Sequence, residues 1–277
     1  MKIDANSVTF EPQDMAFVKK FGILKATEMA LDYHAEHPNL PFLYDAEQLA
    51  GFLGISRGEL NDIVNHIQKE YKEAHLPKKN GTYRSLCVPS IRLRFCQDPI
   101  KEKILPQLPV SKFATAYQKG STTRGNAEPH IGKKFLLKLD ITDFFGSITF
   151  EQVQRTAFNT RYVSRQVGYL LTSLCCKDDS LPQGAATSPA LSNIVMYRFD
   201  DYIGRWCSQR QIAYTRYCDD MTFSANRPLY GVYQKVKTML REMGFELNES
   251  KTHFIGNDNR QSVTGLVVNE KLSIPSG

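Results

Sequence analysis

The sequence predicts an α+β fold, a sheet with helices on one face. From about residue 135 the apolar patterns give the order strand, helix, helix, hairpin, helix and short strands. The segment IAYTRYCDDMTFSA consists of two β-rich runs that meet at Cys218–Asp219, which is typical of a hairpin. Because a hairpin joins antiparallel strands, this order argues against a doubly wound parallel sheet and favours the α+β class.

The first part of the chain is expected to be helical. Residues 13–36 and 45–75 carry apolar residues at helical spacing, and Asp45 is placed to cap the second stretch. Within that stretch, LAGFLGISRGELNDIV has Gly54 at a turn, as a helix-turn-helix does. Glu59 and Asp62 stand where groove-reading cations are expected, so a plain helical hairpin is the better interpretation.

The later elements follow from the same patterns. Pro77 ends the helical region, residues 81–89 alternate like a strand, and Pro189 suits the first turn of a helix. The remaining predicted elements are helices at 92–106, 150–175, 189–210 and 228–243, a buried strand from Phe135 to Ile141, and short strands in FELN, HFIG, QSVTGLVVN and KLSIP.

Composition narrows the class of protein. The 277 residues fit one large domain or two small ones. No apolar run approaches the roughly 20 residues that span a bilayer, and MKIDANSVTFEP lacks the apolar region of a signal peptide. We therefore expect a cytoplasmic protein without membrane contact. The six cysteines form no CxxC pair, which indicates neither a zinc site nor a disulfide framework.

The positive charge is clustered. The net charge of +6 is mild, but one short stretch contains Lys78, Lys79, Arg84, Arg92 and Arg94. Clustered cations suit a phosphate-rich partner such as a nucleic acid. A solvated basic face explains the cluster equally well.

Three aspartates are the candidate catalytic residues. Asp140 ends a predicted strand, and Asp219 and Asp220 lie at the tip of the predicted hairpin. Aspartates are common in turns, so an ordinary turn is the alternative. Carboxylates that converge at a sheet edge suit Mg²⁺, which prefers oxygen ligands. Two such ions about 3.5–4 Å apart would activate a 3′-hydroxyl and stabilise a leaving pyrophosphate.

The residues around these aspartates resemble a known family. LKLDITDFF, LPQGAATSP and YCDD are similar, in order and spacing, to the three central motifs of reverse transcriptases. The resemblance implies a right-hand polymerase fold with fingers and palm. We expect an N-terminal helical region at 1–76, fingers at 77–139, a palm at 140–256 with a helical fingers segment near 150–180, and primer-grip strands with the start of a thumb at 257–277.

A narrower resemblance is to bacterial retron reverse transcriptases. It rests on PKKNGTYRSLCVPS, NAEPH, the two Phe of ITDFF and VTGLVVN. Enzymes of that family copy part of a partner non-coding RNA, prime from a guanosine 2′-OH and leave a branched RNA–DNA product (msDNA), often in antiphage defence with an effector protein. This sequence departs from the family at Cys218, where Ala is more usual. It also has few residues after Asn269, so a thumb is expected to be largely absent through truncation, reduction or replacement by a partner.

The resemblance implies roles near the incoming deoxynucleotide. Asp140, Asp219, Asp220 and the Ile141 carbonyl would hold two Mg²⁺ ions, with Mn²⁺ as a substitute. Arg84 with Lys78 or Lys79 would grip the triphosphate. Gln183 and Gly184 would contact the nucleotide, and Phe145 would lie under its sugar. Lys251 would protonate pyrophosphate or be a solvated surface residue, and Asp143 would lie near the triphosphate or cap its turn.

A further set is expected to contact RNA or the primer: Asn126, His130, Tyr217, Val263, Thr264 and Gly265. For His130 a packed residue of the fold is an equal alternative, and for Tyr217 an ordinary hairpin aromatic.

Other functions remain open from the sequence. Another bacterial reverse transcriptase, of the group II intron or diversity-generating type, is the nearest alternative, and VTGLVVN favours the retron type over it. A catalytically inactive RNA-binding scaffold disagrees with the three intact aspartates. A helix-turn-helix regulator would leave residues 77–269 unexplained.

Overall fold

The computed structural model describes residues 1–4, 7–77, 81 and 83–274, and it confirms the α+β class. The chain divides into two compact units. Unit 1 comprises Met1–Leu108 and Ile148–Leu191, and unit 2 comprises Pro109–Ser147 and Ser192–Gly277. None of the described helices is both long and apolar enough to cross a membrane. The functional regions expected from the sequence, with boundaries at 76, 139 and 256, stay a prediction beside these units.

The regular elements are named in chain order. The described strands are β1 Lys2–Asp4, β2 Ser7–Thr9, β3 Tyr71–Pro77, β4 Tyr83–Pro89, β5 Phe135–Asp140, β6 Ala213–Tyr217, β7 Asp220–Ala225, β8 His253–Gly256, β9 Ser262–Val263 and β10 Leu266–Val267. The described α-helices are α1 Met15–Phe21, α2 Ile23–Glu36, α3 Ala46–Leu53, α4 Arg57–Asn65, α5 Ile91–Pro99, α6 Thr123–Ala127, α7 Phe150–Thr156, α8 Arg165–Cys175, α9 Ser188–Ser208 and α10 Tyr230–Glu242.

Unit 1 begins with an antiparallel pair, β1 and β2, that the sequence did not reveal. The helix predicted at 13–36 is two helices, because Gly22 adopts a φ of +78° between α1 and α2. Asp45 caps α3 as expected, by accepting hydrogen bonds from the backbone of Glu47 and Gln48 at 3.0 Å each. Gly54 ends α3 in the left-handed conformation, which confirms the predicted turn.

The predicted helix at 45–75 is wrong in its last part. Residues 71–77 form β3, which pairs antiparallel with β4 from Tyr71 opposite Pro89 to Pro77 opposite Tyr83. The helical pattern of residues 71–75 is overridden by pairing with β4, Tyr83–Pro89, which lies within the predicted strand segment. Helix preferences are weak and tertiary pairing commonly overrides them.

The two later helical predictions in unit 1 have different outcomes. The helix at 92–106 is confirmed as α5, which continues past Pro99 as a π-helical segment, Ile100–Ile104. The helix at 150–175 is divided into α7 and α8. Asn159 donates to the Arg155 carbonyl at the end of α7, and the Ser164 hydroxyl caps α8 by accepting from Val167 N–H.

Unit 2 is built on a four-stranded antiparallel sheet with the order β6-β7-β5-β8. β5 is internal, and Leu136, Leu137 and Leu139 are each at most 1% exposed. The predicted hairpin and the helix at 228–243 are confirmed as β6–β7 and α10. The predicted strands FELN and KLSIP are reduced to isolated bridges at Leu247 and Ser273.

A small hydrophobic core of unit 2 includes one residue of this sheet. It contains Ala127 of α6, Leu136 of β5, Val263 of β9 and Val268, all at most 1% exposed. The segments NAEPH and VTGLVVN, which are far apart in sequence, therefore contribute to the same core.

Candidate active site

The three predicted catalytic aspartates lie at one end of the sheet in unit 2. Asp140, the last residue of β5, stands opposite Asp220, the first residue of β7. Opposite residues on antiparallel strands have Cα atoms about 4.5–5.5 Å apart. Asp219 directly precedes β7, and its carbonyl accepts a hydrogen bond from Ile141 N–H at 3.3 Å. The register therefore brings the backbone of all three residues to one end of the sheet, and their catalytic role stays a prediction.

The hairpin turn between β6 and β7 consists of Cys218 and Asp219. Cys218 has a φ of +61°, a left-handed conformation that non-glycine residues adopt rarely. Burial raises the pKa of the Cys218 thiol, while its hydrogen bond with Tyr117 acts in the opposite direction. Burial also raises the pKa of the Tyr117 hydroxyl. Both groups are therefore neutral at pH 7, and the cysteine adds no charge beside Asp219.

Negative charge accumulates at this end of the sheet. Loss of water around its carboxylate raises the pKa of Asp220, and the charges of Asp219 and Asp140 raise it further. Lys138 and Lys251 oppose the shift. Asp220 is thus held next to two like charges that two nearby ammonium groups only partly offset.

Lys251 contacts the site directly. Its Nζ donates to Asp140 Oδ2 at 2.9 Å, although 59% of the lysine side chain is exposed. The hydrogen bond to Asp140 raises the pKa of Lys251, and the charges of all three aspartates act in the same direction. Lys251 is therefore a surface residue that pairs with Asp140, and its role towards pyrophosphate stays a prediction.

The chemistry of these donors fits a divalent cation. The carboxylates offer several oxygen atoms, which hard ions such as Mg²⁺ prefer, and a bound cation would offset the repulsion that raises the pKa of Asp220. Among the described side chains, no group of three or more His, Cys, Asp or Glu is already arranged as a metal site. The fit therefore rests on donor type and charge, with Lys251 taking up part of the charge of Asp140.

The loop after β5 carries two adjacent aromatic residues, Phe144 and Phe145, whose ring centroids lie 5.5 Å apart. Phe144 is 4% exposed and packs against Phe245, with ring centroids 6.2 Å apart. Phe145 is half-buried, so part of its ring faces solvent. Asp143 has a φ of +42°, and its carbonyl accepts from Ser147 N–H at 2.8 Å. Phe144 is therefore a core residue, and the Asp143 carbonyl holds the turn.

The Pro-Gln-Gly segment lies in unit 1, where it contacts β4. The Gln183 carbonyl accepts a hydrogen bond from Cys87 N–H at 2.7 Å. Gly184 has a φ of +124°, and a Cβ added there would lie 2.9 Å from the Cys87 carbonyl oxygen. Only glycine allows this approach of two backbone segments without a shift. Gln183 is half-buried and Gly184 is exposed, so both keep atoms available for a ligand.

Of the three basic residues expected to bind the triphosphate, the structure describes Arg84. Arg84 is an exposed residue of β4, opposite Leu76 on β3. It therefore shares a strand with Cys87, which holds the Pro-Gln-Gly segment. Lys78 and Lys79 lie outside the described residues.

His130 is a packed residue. It is completely buried between two strands, with Nδ1 2.7 Å from Ser224 Oγ and Nε2 2.9 Å from Thr215 Oγ1. Both ring nitrogens are thus hydrogen-bonded to residues of unit 2. Burial lowers the pKa of His130 to about 3, with a smaller effect from Lys133. The predicted RNA contact is corrected here, and the alternative of a fold residue is confirmed.

Asn126 and Val263 need the same correction, because each is 1% exposed. The Asn126 side chain accepts from the Thr115 hydroxyl at 2.6 Å and donates to Thr264 Oγ1 at 3.4 Å. The segments NAEPH and VTGLVVN therefore contact each other through Asn126 and Thr264. Thr264 and Gly265 form the turn between β9 and β10 with φ values of +45° and +83°.

Of the residues expected to contact RNA or the primer, Tyr217, Thr264 and Gly265 retain solvent exposure. Their role towards nucleic acid stays a prediction.

Sequence reasoning missed Arg216, which precedes the YCDD tetrad. Its side chain is completely buried, and Nη1 donates to the Cys218 carbonyl at 2.7 Å. Strand periodicity carried the signal: Arg216 shares a face with Tyr214, two residues earlier, which is buried. A charged residue on a buried face requires a buried partner, and this one is Asp200 on α9.

The chain is similar to known proteins over most of its length. Residues 76–268 match the family described as reverse transcriptase (RNA-dependent DNA polymerase). The chain is 30% identical to the retron Ec86 reverse transcriptase of Escherichia coli, over 91% of this chain and 80% of that protein. It is 32% identical to the retron Mx65 reverse transcriptase of Myxococcus xanthus, over 85% of this chain and 60% of that protein.

Among solved structures, a telomerase from Candida albicans in complex with a fragment of telomeric RNA aligns with a TM-score of 0.53 at 13% identity. The alignment covers 75% of this chain and 47% of the telomerase chain. At this identity the likeness concerns the fold alone, and it agrees with the expected α+β polymerase fold.

Proposed function

We propose that this chain, which belongs to the reverse transcriptase family as an RNA-directed DNA polymerase of the retron type, adds deoxynucleotides to a primer at Asp140, Asp219 and Asp220. The observation that carries the proposal is the register of the sheet, which sets Asp140 opposite Asp220 at the end of β5 and β7. The raised pKa of Asp220 supports it: burial of the carboxylate raises this pKa most, and the charges of Asp219 and Asp140 raise it further.

Reverse transcriptases generally use divalent metal ions such as Mg²⁺. We propose that Asp140, Asp219, Asp220 and the Ile141 carbonyl hold two Mg²⁺ ions, which Mn²⁺ can replace. Ions bound there would activate the primer hydroxyl and stabilise the leaving pyrophosphate. Lys251 holds a proton on Nζ beside Asp140 and is the proposed donor to pyrophosphate.

We propose that the incoming deoxynucleoside triphosphate contacts LKLDITDFF, LPQGAATSP and the basic residues at 78–84. Arg84, with Lys78 or Lys79, would bind its phosphates, because a guanidinium fork matches phosphate oxygens. Gln183 and Gly184 would contact the nucleotide, and Phe145 its sugar. Asp143 would keep the loop of Phe145 in place through its turn.

For the partner we propose a structured non-coding RNA, part of which is copied into a branched RNA–DNA product in the cytoplasm. Free cysteines at all six positions support that compartment. Tyr217, Thr264 and Gly265 are the proposed contacts to RNA or the primer. An effector protein and a role in antiphage defence complete the proposal.

Primer extension on an RNA template with Mg²⁺ tests the catalytic assignment. Asp219→Asn should abolish extension while the protein stays folded, because it removes a charge needed for metal binding next to two like charges. Asp258→Asn is the matched control, since it neutralises an exposed aspartate elsewhere in unit 2. Extension by Asp219→Asn at the wild-type rate would refute the assignment.

Sequencing of the nucleic acid that copurifies from the native host tests the partner. A discrete structured RNA joined to DNA is expected. The affinity of the protein for this RNA should fall steeply with salt, because phosphate contacts release counterions. Absence of any discrete RNA or branched DNA would contradict the proposed product.

A further inference from the structure

Arg216 is the centre of a buried polar network behind the hairpin turn. Its Nε donates to Asp200 Oδ1 at 2.9 Å and its Nη2 to Asp200 Oδ2 at 2.6 Å, so the guanidinium forks onto the carboxylate. Nη2 also donates to Asn193 Oδ1 at 3.0 Å. Both members of the ion pair are completely buried. This arrangement leaves the guanidinium one orientation.

The backbone of Arg216 is held as well. Its N–H donates to the Phe113 carbonyl at 2.8 Å, and its carbonyl accepts from Thr115 N–H at 2.7 Å. The Phe144 ring lies 5.7 Å from the guanidinium carbon. The side chain and the main chain of Arg216 are therefore fixed by contacts that do not involve the turn.

The remaining nitrogen points at the turn. Nη1 donates to the carbonyl of Cys218, the residue that adopts the unfavourable left-handed φ of +61°. The carbonyl of Cys218 belongs to the peptide group that leads into Asp219. A rigid donor on this oxygen fixes the orientation of that peptide group. It thereby fixes the backbone from which the side chains of Asp219 and Asp220 extend.

We propose that Arg216 is a positioning residue, which sets the hairpin turn so that Asp219 and Asp220 are presented for metal binding. The inference rests on the proposed function of these aspartates. Buried ion pairs often serve the fold alone, so a purely structural role is the alternative that the experiment must separate.

Arg216→Lys is the principal variant, because a lysine keeps the charge near Asp200 but lacks the fork that serves Asp200 and Cys218 together. Tyr214→Phe is the matched control: it removes the hydrogen bond from the Tyr214 hydroxyl to Asp200 Oδ1 but leaves the bond from Arg216 to Cys218. Asn193→Ala is a milder variant that loosens the guanidinium, and it takes the place of Arg216→Lys if that protein does not fold.

Two measurements distinguish positioning from packing. In single-nucleotide extension, normalised to the active fraction, Arg216→Lys should lower kcat about 10- to 100-fold, as small displacements at active sites do. The Mg²⁺ concentration for half-maximal rate should rise, with KM for the nucleotide little changed. Without any activity, hydrogen exchange should be faster at the Ile141 amide, which donates to the Asp219 carbonyl. Tyr214→Phe should resemble wild type in all of these measurements.

Unchanged Mg²⁺ dependence and unchanged exchange at Ile141 in the folded Arg216 or Asn193 variant would overturn the positioning role, even if its melting temperature fell. A wild-type protein that fails to extend any primer would instead refute the proposed function. The exchange measurement would still decide whether Arg216 holds the turn.

Discussion

Mild acid should destabilise unit 2 through His130. The ring is completely buried, and its two nitrogens are used by Ser224 and Thr215. Burial lowers its pKa to about 3 in the folded protein, whereas an unfolded histidine has a pKa of about 6.5. Between these values the unfolded chain binds a proton that the folded chain does not. Stability is therefore full above about pH 6.5 and is lost as the pH falls towards the folded pKa.

The size of the effect follows from the two pKa values. At about pH 7.5 the ring is neutral in both states and contributes no pH dependence. At about pH 5.5 the folded ring is still neutral, while the unfolded ring is mostly protonated one unit below its pKa. The free energy of unfolding should therefore fall by about 1.4 kcal/mol between these pH values from His130 alone.

Urea unfolding of wild type and His130→Gln at both pH values measures this contribution. The other five histidines are present in both proteins, so the difference between the two pH effects isolates His130. Wild type should lose about 1.4 kcal/mol more than the variant. Equal losses would show that His130 is not held neutral, and the reasoning from its burial would be wrong.

Two further predictions concern the nucleotide motifs. Phe145→Val should raise ribonucleotide incorporation about 5- to 150-fold, since a buried 2′-hydroxyl without a partner costs about 1–3 kcal/mol. Phe144→Ala should instead lower the melting temperature and the activity together, because that ring is in the core; unchanged sugar selectivity in Phe145→Val at full deoxynucleotide activity would place the gate elsewhere. Gly184→Ala should destabilise unit 1 by about 1–3 kcal/mol, because the new Cβ combines an unfavourable φ with a contact of 2.9 Å to a backbone oxygen. Gly120→Ala, where φ is +82° with open space around the Cβ, is the control, and equal melting temperatures for the two variants would contradict the predicted clash.

The sequence by itself determined the parts of the fold in which local pattern and function coincide. Alternating apolar residues around YCDD predicted β6 and β7, and the strand before Asp140 was read from a single apolar run. The order of the three motifs identified the family before any geometry was known. The Asp45 cap and the Gly54 turn were likewise readable, because each depends on backbone chemistry within a few residues.

The tertiary structure decided what depends on partners distant in sequence. Residues 71–75 became a strand because β4 was available to pair with them. His130, a candidate RNA contact from the sequence, is a core residue in the structure. Its ring is hydrogen-bonded to Ser224, 94 positions later in the chain. Arg216 is buried with its charge paired because Asp200, on a different element, lies beside it. Periodicity describes one element at a time, whereas burial and pairing of a polar side chain depend on which other element packs against it.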